Sequence, residues 1–221
     1  MDPAAASDPR SLWLNSPDAL IQVLCLVAMN GHDASNFSSL SRAFRGDEVL
    51  WGCIKDRPGP RGRTALMACS SIGDLERVRW LLDRSADVNA MQTHRSDYGI
   101  TPLILASMNG HPEVVQELLG HGANVDDAIN TDYFSVYTSL MWACGHGHIE
   151  IVRVLLERGA KVSAQVSGCT SLMLACRAGH LEIARLLLVH HASKTTVDWD
   201  RRTAYDHTPA ADAELRALVK P

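Results

Sequence analysis

Aromatic side chains are scarce in this sequence, and their scarcity argues against a large β-sheet. Phe, Trp and Tyr together make up 5% of the 221 residues, whereas hydrophobic residues reach 46%. Strands favour aromatic and β-branched residues, so an apolar chain that is rich in Leu and Ala favours packed helices instead. We therefore expect a folded, mostly α-helical chain.

The sequence also lacks a block of basic residues. Its 21 Lys and Arg residues stand against 25 Asp and Glu residues, for a formal net charge of -4. Nucleic-acid binding proteins need clustered positive charge to neutralise phosphates. We therefore expect no nucleic-acid partner.

Signals for secretion or membrane insertion are missing as well. Asp2 and Asp8 stand where a signal peptide would carry positive charge, and the longest apolar stretch, residues 19–29, is shorter than the about 20 residues that span a bilayer. The six cysteines form no Cys-x-x-Cys pair and predict reduced thiols rather than disulfides. We expect a cytoplasmic or nuclear protein with no membrane partner.

The chain repeats itself from residue 63 onward. Four segments begin with a Thr, a small residue or Pro, and a Leu, and a Gly follows nine residues after each Thr. Each segment then ends in a pair of leucines. The four threonines are Thr64, Thr101, Thr138 and Thr170, and the four glycines are Gly73, Gly110, Gly147 and Gly179.

Each repeat predicts a helix, a tight turn and a second helix. The Thr hydroxyl caps the first helix, and the Gly supplies the positive φ that ends it. Val115, Leu118 and Leu119 form an apolar stripe on the second helix of their repeat. Small residues such as Ala106 and Ala143 let adjacent units approach closely and share one core.

These motifs resemble the ankyrin repeat. Residues 100–126 show the resemblance best, with Thr101-Pro102-Leu103, Gly110-His111, a leucine pair and then Gly-Ala-Asn-Val-Asp. The resemblance implies an all-α solenoid of four full repeats, at about residues 63–95, 99–131, 136–167 and 168–200, followed by a degenerate C-terminal cap at residues 201–221, with a closing helix around residues 212–218. It further implies a non-enzymatic module that binds a partner protein on its concave surface.

The sequence departs from the ankyrin pattern at three kinds of position. Met67, Ile104, Met141 and Met173 replace the histidine that is expected fourth in each repeat, so packing must substitute for its hydrogen bonds between repeats. Ser85 and His191 replace a glycine at the ends of two second helices, which leaves those two ends in question. The Thr-to-Thr spacings of 37, 37, 32 and 33 residues predict that the first two inter-repeat loops are too long by about four residues.

Residues 11–57 lie outside the repeat pattern but predict three short helices, between a flexible N-terminus at residues 1–10 and a linker at residues 58–62. This layout resembles an F-box, the motif that docks a chain on the adaptor of a cullin-type ubiquitin ligase. A plain N-terminal capping bundle is the alternative. The corresponding positions are Pro17, Leu20, Leu24, Leu40, Phe44 and Trp51.

No residue pattern points to catalysis, a metal or a cofactor. Cys144, His146 and His148 lie close together, but His148 belongs to the repeat pattern and the ligand spacings of a zinc site are lacking. Asp132, Ser135 and His146 form only a nominal triad, without a nucleophile elbow or an oxyanion loop. We expect no enzyme activity and no cofactor.

A binding surface is the function that remains. In a repeat stack, the loops and the exposed ends of the first helices line one face. The two long loops bring Gln92, Arg95 and aromatic residues to that face, and aromatic and Arg side chains commonly anchor interfaces. Folding of Tyr98 and Phe134 back onto their own repeats, and half-burial of Trp142, are the alternatives. The predicted contact residues are Arg95, Tyr98, Met108, Asn109, Tyr133, Phe134, Tyr137, Trp142, His146, Arg177, Trp199 and Arg201.

Overall fold

The computed structural model describes residues 62–92, 99–127, 137–166 and 168–221. The long-loop residues Arg95, Tyr98, Tyr133 and Phe134 and the whole F-box-like segment lie outside these residues. The predictions made for them are therefore untested.

The first helix of each repeat begins at a threonine. Thr64, Thr101, Thr138 and Thr170 each accept a hydrogen bond from the backbone N–H three residues later, at 3.3 Å in every case. This contact satisfies one of the N–H groups that a helix start leaves unpaired, and it confirms the predicted caps. The first-row helices are α1 (Ala65–Ile72), α3 (Pro102–Asn109), α5 (Ser139–His146), α7 (Ser171–Ala178) and the single turn α9 (Ala204–His207).

The second helix of each repeat packs behind the first. Its apolar stripe is buried and its charged residues face outward; in the third repeat, for example, Val152 and Leu155 are buried whereas Arg153 is exposed. The second-row helices are α2 (Leu75–Asp83), α4 (Pro112–Gly120), α6 (Ile149–Glu157), α8 (Leu181–Val189) and α10 (Ala213–Val219).

The two rows form two layers around one continuous core. Each first-row helix packs against the next first-row helix, and each second-row helix does the same in its own layer. The side chains that replace the expected histidines lie in this core, where Met67 and Met141 are fully buried. Packing therefore substitutes for those histidines, as predicted.

Two connections between repeats, which we call fingers, contain paired backbone within the described residues. Between the third and fourth repeats, β1 (Gln165–Val166) pairs with β2 (Cys169–Thr170) in antiparallel register, with Gln165 opposite Thr170. In the first long loop, Gln92 exchanges backbone hydrogen bonds with Ile100 and Gly99. We expected this loop to bring Gln92 to the binding face, but this was wrong, because Gln92 is buried where its backbone pairs with Ile100 and Gly99.

The turns between helices adopt the predicted left-handed conformation. Gly73, Gly110, Gly147 and Gly179 have φ between 76° and 82°. Ser85 and His191 adopt the same conformation, with φ of 62° and 63°, where Gly122 and Gly159 stand in the other repeats. Helices α2 and α8 therefore end like the others, although a side chain in this conformation is strained.

Hydrogen bonds between repeats come from the residues that precede the second helices and from the loops. His111 Nε2 donates to the Ser71 carbonyl at 3.1 Å, and His148 Nε2 donates to the Met108 carbonyl at 3.2 Å. In the loops, Asn89 Oδ1 accepts from the Asn124 N–H at 2.9 Å. Side chains outside the expected histidine position thus link the first repeat to the second and the second to the third.

Candidate functional site

An aromatic cluster lies on α5, the first helix of the third repeat. The Tyr137 and Trp142 rings meet edge to face with centroids 5.5 Å apart, and the His146 ring lies 5.4 Å from Trp142. His146 Nδ1 donates to the Trp142 carbonyl at 3.0 Å, which fixes the imidazole beside the indole. The structure therefore brings three of the predicted contact residues together.

Trp142 owes its partial exposure to its size. The equivalent positions in the neighbouring repeats, four residues after the capping threonine, are Leu105 and Leu174, and both leucines are buried. An indole is too large for the space that holds a leucine, so part of the ring stays at the surface. Trp142 is thus half-buried, and it combines a packing role with a free aromatic edge.

The largest exposed apolar side chain of the described residues is Trp199. It is 80% exposed, and Val197 beside it is 43% exposed. The ring lies across Gly168 at the neighbouring finger, since a Cβ at Gly168 would lie 3.0 Å from Trp199 Cγ. Trp is one of the residues enriched among the side chains that contribute most to binding at protein interfaces.

A buried carboxylate shapes the loop that carries Trp199. Asp198 Oδ1 accepts from the backbone N–H groups of Asp200 and Arg202 at 2.9 and 2.8 Å. Its Oδ2 accepts from Arg202 Nε at 3.2 Å and from His207 Nε2 at 2.8 Å. These hydrogen bonds hold the pKa of Asp198 below its ordinary value, and the bond from the Arg202 backbone N–H has the largest effect.

This network fixes a tight turn directly behind the indole. The Arg201 N–H donates to the Asp198 carbonyl, and Arg201 itself adopts a left-handed φ of 61° with an exposed side chain. Sequence reasoning missed Asp198. The sequence places an Asp four residues before Arg202 and nine before His207. This spacing alone does not predict a hydrogen-bond network, because the three side chains meet only when the backbone between them folds into this turn.

The remaining described contact residues lie at the exposed ends of first-row helices. Asn109 is exposed, but its amide is tied by hydrogen bonds to Ser71 Oγ at 3.2 Å and to the Leu105 carbonyl at 2.9 Å. Met108 is half-buried and Arg177 is exposed. Together with three residues of α5 they form what we call the first-row surface: Met108, Asn109, Trp142, Gly145, His146 and Arg177.

The cysteines within the described part of the chain show no sign of activation. Burial raises the pKa of the Cys69 and Cys144 thiols and that of Cys176 to about 11. A nucleophilic or metal-binding cysteine needs the opposite shift. Nor does the described part contain a group of three or more His, Cys, Asp or Glu side chains that could hold a metal ion.

Comparison with protein-family models decides the family. The model for ankyrin repeats (three copies) matches residues 24–129 and 127–198, which together span most of the chain. The chain belongs to the ankyrin-repeat family. The first ankyrin match begins at residue 24, inside the segment that resembles an F-box, and no evidence for an F-box accompanies it. No curated protein matches this ankyrin-repeat chain.

Ankyrin repeats are generally protein-interaction modules, and the family is a non-enzymatic interaction fold. The described ankyrin helices are all short, and none of them has the length and apolar character needed to cross a membrane. The site therefore consists of surfaces on the ankyrin stack.

Proposed function

We propose that this protein is a non-enzymatic binding module whose ankyrin stack holds a partner polypeptide on the first-row surface and the adjacent fingers. The observation that carries this proposal is the exposure of aromatic side chains on that side of the stack. Trp199 is 80% exposed on a rigid turn, and the Tyr137–Trp142 pair presents a second aromatic site.

Rigid aromatic side chains suit such a role. Their burial against a partner removes a large apolar area from water, and few rotatable bonds become fixed in the process. The Asp198 network holds the Trp199 turn in place before any partner arrives, so less ordering is needed on binding.

The test is affinity capture from native extract with the full chain. Trp142→Ala and Trp199→Ala should each reduce the amount of a stoichiometric bound chain, while the urea midpoint of the exposed-site variant Trp199→Ala stays unchanged. Val189→Ala is the matched control, because Val189 is 72% exposed but lies on the second-row helix α8. Capture that is equal for all four proteins would refute the proposal.

The two long loops extend the proposed surface. Tyr98, Tyr133 and Phe134 add aromatic side chains to loops that exceed the repeat length, and Arg95 adds a cation. Replacing the three aromatic residues together with Ala should weaken capture without changing stability. An unaltered affinity would remove these loops from the proposed site.

A second candidate function is the substrate-recognition subunit of a cullin-type ubiquitin ligase. It rests on the F-box-like pattern of residues 11–57, with Leu20, Leu24 and Trp51 among its key positions. Co-purification with the ligase adaptor should occur and should be lost in Leu20→Ala and Trp51→Ala. Absence of the adaptor, or its persistence with both variants, would leave the segment as a cap of the repeat stack.

We further propose a cytoplasmic or nuclear location. The support is the presence of free thiols at Cys69, Cys144, Cys169 and Cys176, which suit a reducing compartment. A fluorescent fusion of the full chain tests this location.

A further inference from the structure

One position of the first-row surface changes character from repeat to repeat. Seven residues after the capping threonine stands Met108 in α3, Gly145 in α5 and Arg177 in α7. These three helices pack side by side in that order. The position therefore presents an apolar side chain, then a gap, then a cation.

The gap at Gly145 is not required by the fold. A Cβ at this position would meet a single atom within 4 Å, Leu174 Cβ at 4.0 Å, and Gly145 is not among the glycines with positive φ. Glycine within a helix is less favourable than alanine by about 1 kcal/mol. The chain thus retains an open place on this surface at the expense of stability.

The walls of the gap are aromatic and apolar. Trp142 lies one helical turn before Gly145, and residues three apart on a helix share a face. His146 follows directly, and its ring lies beside that of Trp142 with the centroids 5.4 Å apart. A flat or branched apolar side chain of a partner, placed over Gly145, would therefore contact the Trp142 ring. Met108 on the preceding helix α3 would lie on its other side.

Charge differs between the two layers of the stack. Helices α2, α4, α6 and α8 carry seven acidic and four basic residues, whereas Arg177 is the one Asp, Glu, Lys or Arg on α1, α3, α5 and α7. Arg177 is exposed and forms no ion pair with any residue in the described ranges. Among the described first helices α1, α3, α5 and α7 this is the single formal charge, and an exposed cation of this kind favours an anionic partner group.

We propose that the gap over Gly145 is an anchor site for an extended, acidic peptide segment of a partner protein. A large apolar side chain of the segment sits on Gly145 against Trp142 and Met108, and a nearby carboxylate pairs with Arg177. Adjacent packed helices lie about 8–10 Å apart and alternate residues of an extended chain about 7 Å apart, so a carboxylate two or three residues from the anchor reaches Arg177. This inference rests on the proposed function and names the partner chemistry.

The test selects a displayed library of random dodecapeptides on the immobilised full chain. Enriched peptides should carry Asp or Glu two or three positions from Trp, Phe, Leu or Met. Synthetic copies of the best peptide then give dissociation constants for the variants.

Two variants probe the gap and the cation separately. Gly145→Gln fills the gap and should weaken peptide binding by about tenfold or more, while the urea midpoint stays equal or rises. Arg177→Glu should weaken binding similarly, and a peptide whose acidic residue is changed to Lys should regain affinity for this variant.

Matched controls lie on the second-row helices. Gly120 in α4 is also a helical glycine with nothing within 4 Å of a Cβ, so Gly120→Gln should leave affinity unchanged. Arg153→Glu on α6 repeats the charge reversal at another exposed arginine and should leave affinity unchanged.

The outcomes separate the two proposals. If Trp142→Ala or Trp199→Ala abolishes peptide binding while Gly145→Gln and Arg177→Glu do not, the anchor site is wrong and the proposed binding surface stands. Enriched peptides without acidic residues also overturn the anchor site. If no peptide is enriched, or if no variant of the first-row surface changes peptide binding, the anchor site is wrong, and the capture experiment decides the proposed function.

Discussion

His148 in the third repeat donates a hydrogen bond from Nε2 to the carbonyl of Met108 in the second, across 3.2 Å. The same ring lies over Gly110, where a Cβ would come within 2.7 Å of its Cε1 atom. One side chain thus ties two repeats together by a polar contact and by close packing. The contact depends on a glycine turn that leaves room for the ring.

Removing this ring should loosen the boundary between two repeats. His148→Ala loses a hydrogen bond worth about 1 kcal/mol, and its packing contacts add to the loss. The urea midpoint of the full chain should therefore fall. His190→Ala replaces an exposed histidine at the end of α8 and should leave the midpoint unchanged. Equal midpoints for both variants would contradict the proposed link.

Two glycine turns with the same backbone conformation should respond differently to alanine. Gly73 and Gly122 have φ of 77° and 85°, but a Cβ at Gly73 would lie 2.5 Å from His111 Nδ1, whereas nothing lies within 4 Å at Gly122. Gly122→Ala should cost about 1–2 kcal/mol from the left-handed backbone alone. Gly73→Ala should cost more, because it also displaces the His111 ring. Chemical denaturation of both variants measures the difference.

Replacing Ser85 with glycine should stabilise the protein. Ser85 occupies the left-handed region at φ 62°, and relief of that strain exceeds the added chain entropy by about 0.5 kcal/mol. Ser71→Gly makes the same chemical change within α1 and should destabilise, since glycine weakens a helix and the Asn109 hydrogen bond is lost. Thermal melts in which the two variants shift in the same direction would count against this account.

The last repeat should lose stability in acid through Asp198. Its pKa is lower in the folded chain than in the unfolded chain, where a value of about 3.9 applies. The stabilisation is therefore fully present above pH 3.9 and disappears as the pH falls through the folded pKa. Asp198→Asn should lower the melting temperature at pH 7 and flatten its decline as the pH falls below about 4. An unchanged slope would assign the acid sensitivity to other carboxyl groups.

Thiol alkylation should follow burial. Burial raises the pKa of Cys176 to about 11, and Cys69 and Cys144 are also buried with raised pKa values. Among these four described cysteines, iodoacetamide at pH 7.5 should therefore modify the half-buried Cys169 first, and Cys69, Cys144 and Cys176 only after unfolding. Peptide mass spectrometry after timed labelling gives the order of reaction. Early labelling of Cys144 would show that its repeat opens in the native state.

The sequence was most informative where a residue's role depends on its neighbours along the chain. A threonine cap, a glycine turn and the apolar stripe of a short helix are all local features, and each predicted one is present in the structure. Ser85 was harder to interpret, because the sequence shows that glycine is missing but not that the backbone keeps the left-handed turn. Gln92 was misjudged, because its burial depends on pairing with Ile100 across the loop.

The residues of the candidate site also fall into two groups, those that the sequence predicted and those that only the structure revealed. Tyr137 was predicted from its place in the second long loop, and Trp142 and His146 from their places on the first helix of the third repeat. The three side chains lie together. Asp198 and Gly145 were missed. Asp198 matters because its carboxylate holds a turn together, and Gly145 matters because it has no side chain and leaves open space on the surface. Neither property is visible until the neighbouring repeats are in place.

By itself the sequence determined the repeating helix pairs and their order, because caps, turns and stripes are set by residues within one repeat. Only the tertiary structure decided which surfaces remain free for a partner. Exposure at Trp199, the gap at Gly145 and the exposed charge at Arg177 each depend on what the adjacent repeat places beside them. Those contacts arise from stacking, whose geometry no single repeat contains.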